Sequence, residues 1–233
     1  MKTNAFFFLF FVVVTSHTFA QSEELMRKYT NNFDLFTDIW TNTPDNVDIK
    51  AINLGYNLSA SYIIPIENSN FGVLLGIGLT GHNLYTDAVP AEVLDQSGAG
   101  TGVIAFTKLD SLVSEISYNR NKIALTYAEI PLEFRYYSKT TGFKASLGMR
   151  IGFLIDSHTK YNGEDYLFGS EDVIRVKIKD LENISEYRFT PFIRVGWKWV
   201  NVTASYGLTG LYEQNKGPAM HPVSLGLSFT PFH

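Results

Sequence analysis

The sequence predicts an all-β fold, an eight-stranded antiparallel up-and-down transmembrane β-barrel. Three observations predict it. Apolar and small or polar residues alternate with period two along repeated stretches about as long as the 9–11 residues a tilted strand needs to cross a bilayer. The polar face of that alternation is rich in Gly, Ser, Asn and Thr, with scattered charges, which makes a poor water-exposed surface and a plausible narrow lumen. Short connections alternate with long ones, which would put tight turns on one rim and loops on the other.

Composition agrees. The chain has 233 residues, room for one β domain, and only 18% of them are charged, below the roughly 25% of soluble domains. It carries 18 Phe, 13 Tyr and 3 Trp. The net charge of −4 gives no footing for a nucleic-acid partner. With no cysteine, disulfides, thiolate catalysis, cysteine-ligated metals and a lipidated N-terminal Cys are all excluded.

The N-terminus reads as an export signal. Lys2 supplies a positive start, residues 6–14 (FFFLFFVVV) an apolar run of nine, and Thr18 and Ala20 the small residues of a cleavage site before Gln21. Nine apolar residues fall well short of the roughly 20 that a spanning helix needs. Residues 1–20 are therefore expected to be a cleaved signal peptide and 21–233 the barrel domain. Without a spanning helix, the mature chain can enter a bilayer only as a closed barrel, because lipid offers no partner to an open sheet edge.

The strands follow in order. Phe33 to Trp40 is the weakest candidate and the first. In the next, Ile52, Leu54, Tyr56, Leu58, Ala60 and Tyr62 share one face. Then come Phe71, Val73, Leu75, Ile77 and Leu79, followed by Ala128, Ile130, Leu132, Phe134 and Tyr136. Phe143, Ala145, Leu147, Met149, Ile151 and Phe153 form the fifth set. Phe189, Ile193, Val195, Trp197 and Trp199 form the sixth, and Val202, Ala204, Tyr206 and Leu208 the seventh. Val223, Leu225, Leu227 and Phe229 complete the count. The expected short turns are 65–70, 138–142 and 199–201; the long connections are 41–47, 86–118, 160–185 and 213–219. An even strand number brings both ends to the periplasmic rim. There the apolar face carries Tyr62, Phe71, Tyr136, Phe143, Trp197, Trp199 and Phe229, with Phe232 just beyond, as an aromatic girdle in the headgroup layer would.

The chain is similar to a known family in one segment. Residues 127–137 (YAEIPLEFRYY) resemble the "EIPLLLKY"-type strand of the PorT-like outer-membrane β-barrel proteins of Bacteroidetes, and the Gly-containing strand from Phe143 onward sits where that family has its next strand. The ending GLSFTPFH resembles a β-signal read by the barrel-assembly machinery, departing from it in the His after the last Phe. The resemblance implies outer-membrane location, with membrane lipid, lipopolysaccharide, the assembly machinery and other envelope proteins as partners. It does not imply the secretion role of the family's namesake.

Pro131 cannot donate to a ladder, so a bulge or kink is expected near it. The apolar set is odd at Ile123, Leu125 and Tyr127 and even from Ala128 onward. Either the strand changes phase near Tyr127, or Ile123 and Leu125 face inward above the membrane. The lumen face should carry a charge network of Asp34, Asp38, Glu129, Glu133, Arg135, Lys144, Arg150, Arg188, Arg194 and Lys198. Pairing across the 138–141 turn sets Arg135 opposite Lys144 and Glu129 opposite Arg150, which predicts a Glu129–Arg150 ion pair. Such charges must pair or be hydrated. A barrel of this size is just wide enough for side chains to fill, so a structural plug is expected before a selectivity filter or proton path.

No catalytic, cofactor or metal site is legible. His82, His158, Ser157 and Asp156 hold the chemistry of a nucleophilic set without its signature. Residues 98–102 (GAGTG) lack the setting of a phosphate loop and read as an outer loop. Glu164, Asp165, Glu171 and Asp172 match no calcium-loop spacing. The expected role is structural or partner-binding, with a small-solute pore or a lipid-modifying enzyme as alternatives.

Overall fold

The computed structural model describes residues 28–170 and 172–230. The expected signal peptide, Glu171, Phe232 and His233 lie outside the described residues. The strands are β1 (Tyr29–Thr41), β2 (Leu54–Pro65), β3 (Phe71–Tyr85), β4 (Ala88–Leu94) and β5 (Gly100–Lys108), then, after a one-turn helix α1 (Leu109–Leu112), β6 (Tyr118–Tyr137) and β7 (Phe143–Glu164). The remainder are β8 (Val173–Lys179), β9 (Tyr187–Trp197), β10 (Val200–Tyr206) and β11 (His221–Phe229).

Eight of these make the barrel. β1, β2, β3, β6, β7, β9, β10 and β11 pair antiparallel with their neighbours in that order, and β11 returns to β1 with Phe33 opposite Phe229 and Thr41 opposite His221. Closure satisfies every edge, which a membrane requires. The weak first strand is thus a full member: Phe33, Leu35 and Ile39 face out, and Asp34, Phe36, Asp38 and Trp40 face in and are buried. Short turns at 66–70, 138–142 and 198–199 lie on the rim that holds the start of β1 and the end of β11. The last turn sits one residue earlier than expected, with Trp197 directly opposite Val200 and Lys198 at φ 52°.

The other rim is structured rather than looped. The 86–117 connection contains the β4–β5 hairpin and α1, and the glycines expected in a loose loop form the hairpin tip. There Asp95 Oδ1 accepts from the Ser97 and Ala99 amides at 2.8 and 2.9 Å. β6 and β7 continue past the other strands, with Tyr118 opposite Gly163, and β8 pairs with the upper end of β7.

The phase question at Tyr127 resolves on the second alternative. On β6, Ile123, Leu125 and Tyr127 face inward in unbroken alternation with Glu129, Glu133 and Arg135. What changes is the chemistry of the interior, polar below and apolar above. The extra residue lies on the partner strand: register shifts between Thr126 opposite Asp156 and Tyr127 opposite Leu154, leaving Ile155 as a bulge on β7. Pro131 causes no shift. It pairs with Arg150 on one side, while on the other the ladder lapses between Leu75–Leu132 and Gly78–Glu129 and resumes in the same register. Proline has no N–H to give, so the cost is a gap in the ladder rather than a kink.

Above the polar interior sits a dry core. Trp40, Leu84, Ile123, Leu125 and Tyr127 from the barrel strands pack with Ile104 and Phe106 of β5 and Ile184, Leu211, Tyr212 and Met220 of the loops. Two hydrogen bonds to backbone carbonyls hold the hairpin over the mouth: the Ile104 amide donates to the Lys216 carbonyl at 2.8 Å, and the Asn183 side-chain Nδ2 donates to the Gly102 carbonyl at 3.2 Å. At its base Lys108 Nζ reaches Asp48 Oδ2 at 2.9 Å and Asp87 Oδ2 at 3.1 Å, and its hydrogen bond holds the Asp48 carboxyl below the usual range.

Candidate functional site

The outer surface divides by height. Leu35, Leu75, Ile77, Leu132, Leu147, Ile193, Val202 and Leu227 are exposed around the barrel. Exposed apolar surface on this scale fits lipid and not water. Below the band lie the expected girdle residues. Phe71 is within 5.2 Å of both Phe134 and Tyr136, and Tyr136 within 6.3 Å of Phe143. Tyr29 meets Tyr62 edge-on at 5.3 Å, and Phe33 stacks on Phe229 at 6.4 Å. Trp197 projects outward from β9, whereas Trp199 sits in the turn. A second aromatic set, unremarked in the sequence, lies toward the loop rim: Tyr56, Phe153, Tyr187 and Tyr206 are all exposed. Phe143 and Phe153 on β7 are ten residues apart, as are Tyr187 and Trp197 on β9. At strand rise and barrel tilt that separation is about 25 Å, the height of a lipid-facing band.

Inside, the charges form a connected stack. Asp34, fully buried, accepts from Arg150 Nη2 at 3.0 Å and from Arg194 Nη2 at 3.1 and 3.3 Å. Arg194 Nη1 also donates to Glu133 Oε2 at 2.8 Å, and Glu133 Oε1 accepts from Arg135 Nε at 2.7 Å. The Phe192 ring is approached by two guanidiniums, Arg150 at 4.5 Å and Arg194 at 5.2 Å from its centroid. Nearer the short-turn rim, Lys144 Nζ donates to Thr230 Oγ1 at 2.9 Å. Nearer the loop rim, Glu129 accepts from Asn57 Nδ2 at 3.0 Å and from the Thr80 hydroxyl, and Asp38 meets His82 Nδ1 at 2.7 Å and the Ser224 hydroxyl at 2.6 Å. Arg188 lies over the Tyr127 ring at 5.4 Å, just under the dry core.

Nine of the ten charged residues placed on the lumen face are therefore buried in the interior. The tenth, Lys198, is exposed in the β9–β10 turn, because that turn begins one residue earlier than the alternation suggested. The Glu129–Arg150 ion pair does not form. The 138–142 turn sets Tyr137 opposite Lys144, so Glu129 faces Gly152 and Arg150 faces Pro131. That is two residues away from the expected register. Faces are unchanged by a shift of two, which is why the lumen residues were legible and their partners were not.

Large and small side chains interlock here. Phe36 stands between Gly55 and Gly226 on its two neighbours, and its ring lies 5.2 Å from His82. A Cβ on Gly226 would come within 2.1 Å of the Leu35 carbonyl oxygen and 2.5 Å of Phe36 Cα. Both are backbone atoms that cannot rotate away. Gly226→Ala should cost about 1–3 kcal/mol or more, read as a lower urea midpoint of the folded band.

No nucleophilic set is assembled from the residues weighed for one. His158 Nδ1 and Asp156 Oδ2 pair at 2.7 Å on the outer face of β7, while Ser157 points inward and its hydroxyl accepts from the Leu181 amide at 2.9 Å. Around Asp38 the carboxylate, not the histidine, holds the serine, which leaves Ser224 without a base. The loop acids are structural: Asp165 Oδ1 accepts from the Leu167 amide at 2.8 Å, and Glu164 Oε2 from the Ser117 amide at 2.9 Å. Among the described residues no group of three His, Asp or Glu gathers as a metal site.

No curated protein matches the chain. Two solved structures are similar to it. Ail, the attachment invasion locus protein of Yersinia pestis, solved with the heparin analogue sucrose octasulfate, is 11% identical. The match covers 88% of this chain and 97% of Ail, with a TM-score of 0.39. The outer membrane protease OmpT of Escherichia coli is 9% identical over 87% of this chain and 93% of its own, with a TM-score of 0.37. The model of the outer membrane protein beta-barrel domain family matches residues 19–213, most of the chain, and the protein belongs to that family and to the outer membrane.

Proposed function

We propose that this protein is a non-enzymatic barrel that presents its structured outer cap to partners, with no path for solutes through its interior. One observation carries the reading: the interior is occupied along its length. The Asp34–Arg150–Arg194–Glu133–Arg135 network and the Phe36 and Phe192 rings fill the membrane part, and the dry core around Leu84, Phe106 and Met220 closes the mouth. Ion-paired side chains in a narrow barrel staple strands together, whereas a conducting lumen needs hydrated charges that exchange partners.

The cap supplies contact surface. Its 165–170 turn carries Leu167 and Phe168, the latter 89% exposed, at a tip ordered by Asp165. Apolar side chains held out on an ordered tip suit a partner more than water. The PorT-like resemblance of residues 127–137 supports an outer-membrane setting, and the export signal read in residues 1–20 supports delivery there.

The test has two arms. Purified protein in planar bilayers should give no conductance above background. A photo-crosslinking residue at position 168 should trap a discrete envelope partner in cells, and one at Lys139 on the opposite rim should not. Stepwise conductance in the unaltered protein would overturn the sealed interior, and adducts only from position 139 would overturn the cap as the contact surface.

A further inference from the structure

The extended ends of β6 and β7, with β8 beside them, form a three-stranded sheet above the barrel. Its inner face is apolar: Tyr161, Ile174 and Val176 pack with Leu109 and Ile116. Its outer face is basic. Register puts Arg120, Asn162 and Arg175 in one row across the three strands, and Lys122, Lys160 and Lys177 in the next. Lys179 lies opposite His158 in the row below.

A row of three lysines directly opposite one another is the reverse of what stabilises a sheet, where facing residues of like charge repel. No carboxylate among the described residues lies within ion-pair distance of any of these six cations. Lys122 instead leans on uncharged groups, donating to Asn83 Oδ1 at 2.6 Å and lying 5.3 Å over the Tyr85 ring. This part of β6 stands above the apolar band, and burial, with Arg120 and Lys160 beside it, lowers the Lys122 pKa. A cleft of about 350 Å³ opens among Arg120, Lys160, Arg175 and Lys177.

Edge protection accounts for only part of this. Lysines on β8 would blunt an exposed edge. Arg120, Lys122 and Lys160 lie on β6 and β7, which are paired on both sides at Lys122 and Lys160, and need no such guard.

Height and direction identify the ligand. The basic face continues the lipid-facing side of the same two strands. On β7 it follows the exposed Phe153 and Ile155, and on β6 it follows Ile130 and Ala128. Lys160 is five residues beyond Ile155, which at strand rise and barrel tilt is about 12 Å above the apolar band. That is the level of headgroups, and the face looks sideways over them rather than up into the medium.

We propose that the outer face carrying Arg120, Lys122, Lys160, Arg175, Lys177 and Lys179 binds the phosphate groups of the glycolipid in the surrounding outer leaflet. The anions relieve the repulsion between facing cations, and the cations hold a ring of lipid on one flank of the barrel. The inference needs only the outer-membrane placement and is independent of partner contacts at the 165–170 tip.

Native mass spectrometry of the folded full chain would test it, with purified lipid A carrying both phosphates and the same lipid A with its phosphates removed enzymatically. The phosphorylated form should be retained at least about tenfold better, and R175E/K177E should lose at least about tenfold of that retention, with less retention as salt rises. K139Q, on the opposite rim, should behave as the unaltered protein. β8 lies outside the barrel ring, so heat-modifiable gel mobility should persist in the variant. If R175E/K177E fails to fold, R175Q/K177Q gives the same reading through charge removal alone. Equal retention of both lipids, or full retention by the variant, would overturn the proposal. So would retention of heparin with none of the phosphorylated lipid, which would assign the face to a soluble polyanion.

Discussion

Asp34→Asn should destabilise the folded barrel by about 3–5 kcal/mol, the usual result of removing one partner from a buried ion pair. Asp34 is fully buried and is shared by Arg150 and Arg194, each under a tenth exposed. The amide has the same size, but its NH2 would present donors to guanidinium donors. Its remaining oxygen cannot compensate two cations in a low-dielectric interior. The interior already holds Arg135, Lys144, Arg150, Arg188 and Arg194 against Asp34, Asp38, Glu129 and Glu133, so the loss deepens an existing positive excess. Asp38→Asn is the comparison. Its partners are His82 and Ser224 rather than two arginines, and it should cost less, about 1–3 kcal/mol. Urea titration of heat-modifiable mobility in one detergent would rank the two. Equal midpoints would show that Asp34 is not the keystone of the network. Adding Arg150→Met to Asp34→Asn should recover part of the loss, because it removes one of the stranded charges.

Phe106→Ala should cost about 3–5 kcal/mol locally while leaving the barrel closed. Phe106 is 6% exposed and meets Tyr212 edge-on at 6.2 Å between centroids, which makes it the main apolar anchor of the β4–β5 hairpin. Its other ties include Ile104 and Ala88 in the same core, the Ile104–Lys216 backbone bond, the Asn183–Gly102 and Asn121–Ala88 bonds and the Lys108 ion pairs. Without the ring these are too few to hold the hairpin down. The expected readout is rapid protease cleavage near residues 95–100 from outside the cell, with unchanged heat-modifiable mobility. A variant as resistant as the unaltered protein would refute the dry core as what docks the cap. If cleavage is gained and bilayer conductance still does not appear, the ion-paired network alone seals the interior.

Which residues face lipid and which face inward was legible in the sequence, because side-chain direction in a strand depends only on parity. Parity survives a difference of two residues in register, so the inward direction of the charges on the barrel strands is readable although the pairing across the 138–142 turn differs from the expected one. Parity fails at a turn, which is where Lys198 was misplaced. The same rule leaves two alternatives open above Tyr127. A switch from even to odd apolar residues was open to reading as a change of phase, but β6 keeps its phase, and the environment of its inner face changes instead. Lipid outside and charge inside give way to water outside and a dry core inside. No local pattern separates these two cases, since both put an apolar residue on alternate positions.

The sequence by itself determined a closed membrane barrel of this strand number, its lipid-facing residues and the location that follows from them. It could do so because a bilayer admits few architectures and each strand reports its faces locally. Only the tertiary structure decided what those residues do together: Asp34 shared by two arginines, Phe36 between two glycines, a hairpin folded over the mouth, and lysines aligned across three strands. Each depends on register between segments far apart in sequence, and register is set by the fit of whole strands and turns rather than by any one of them.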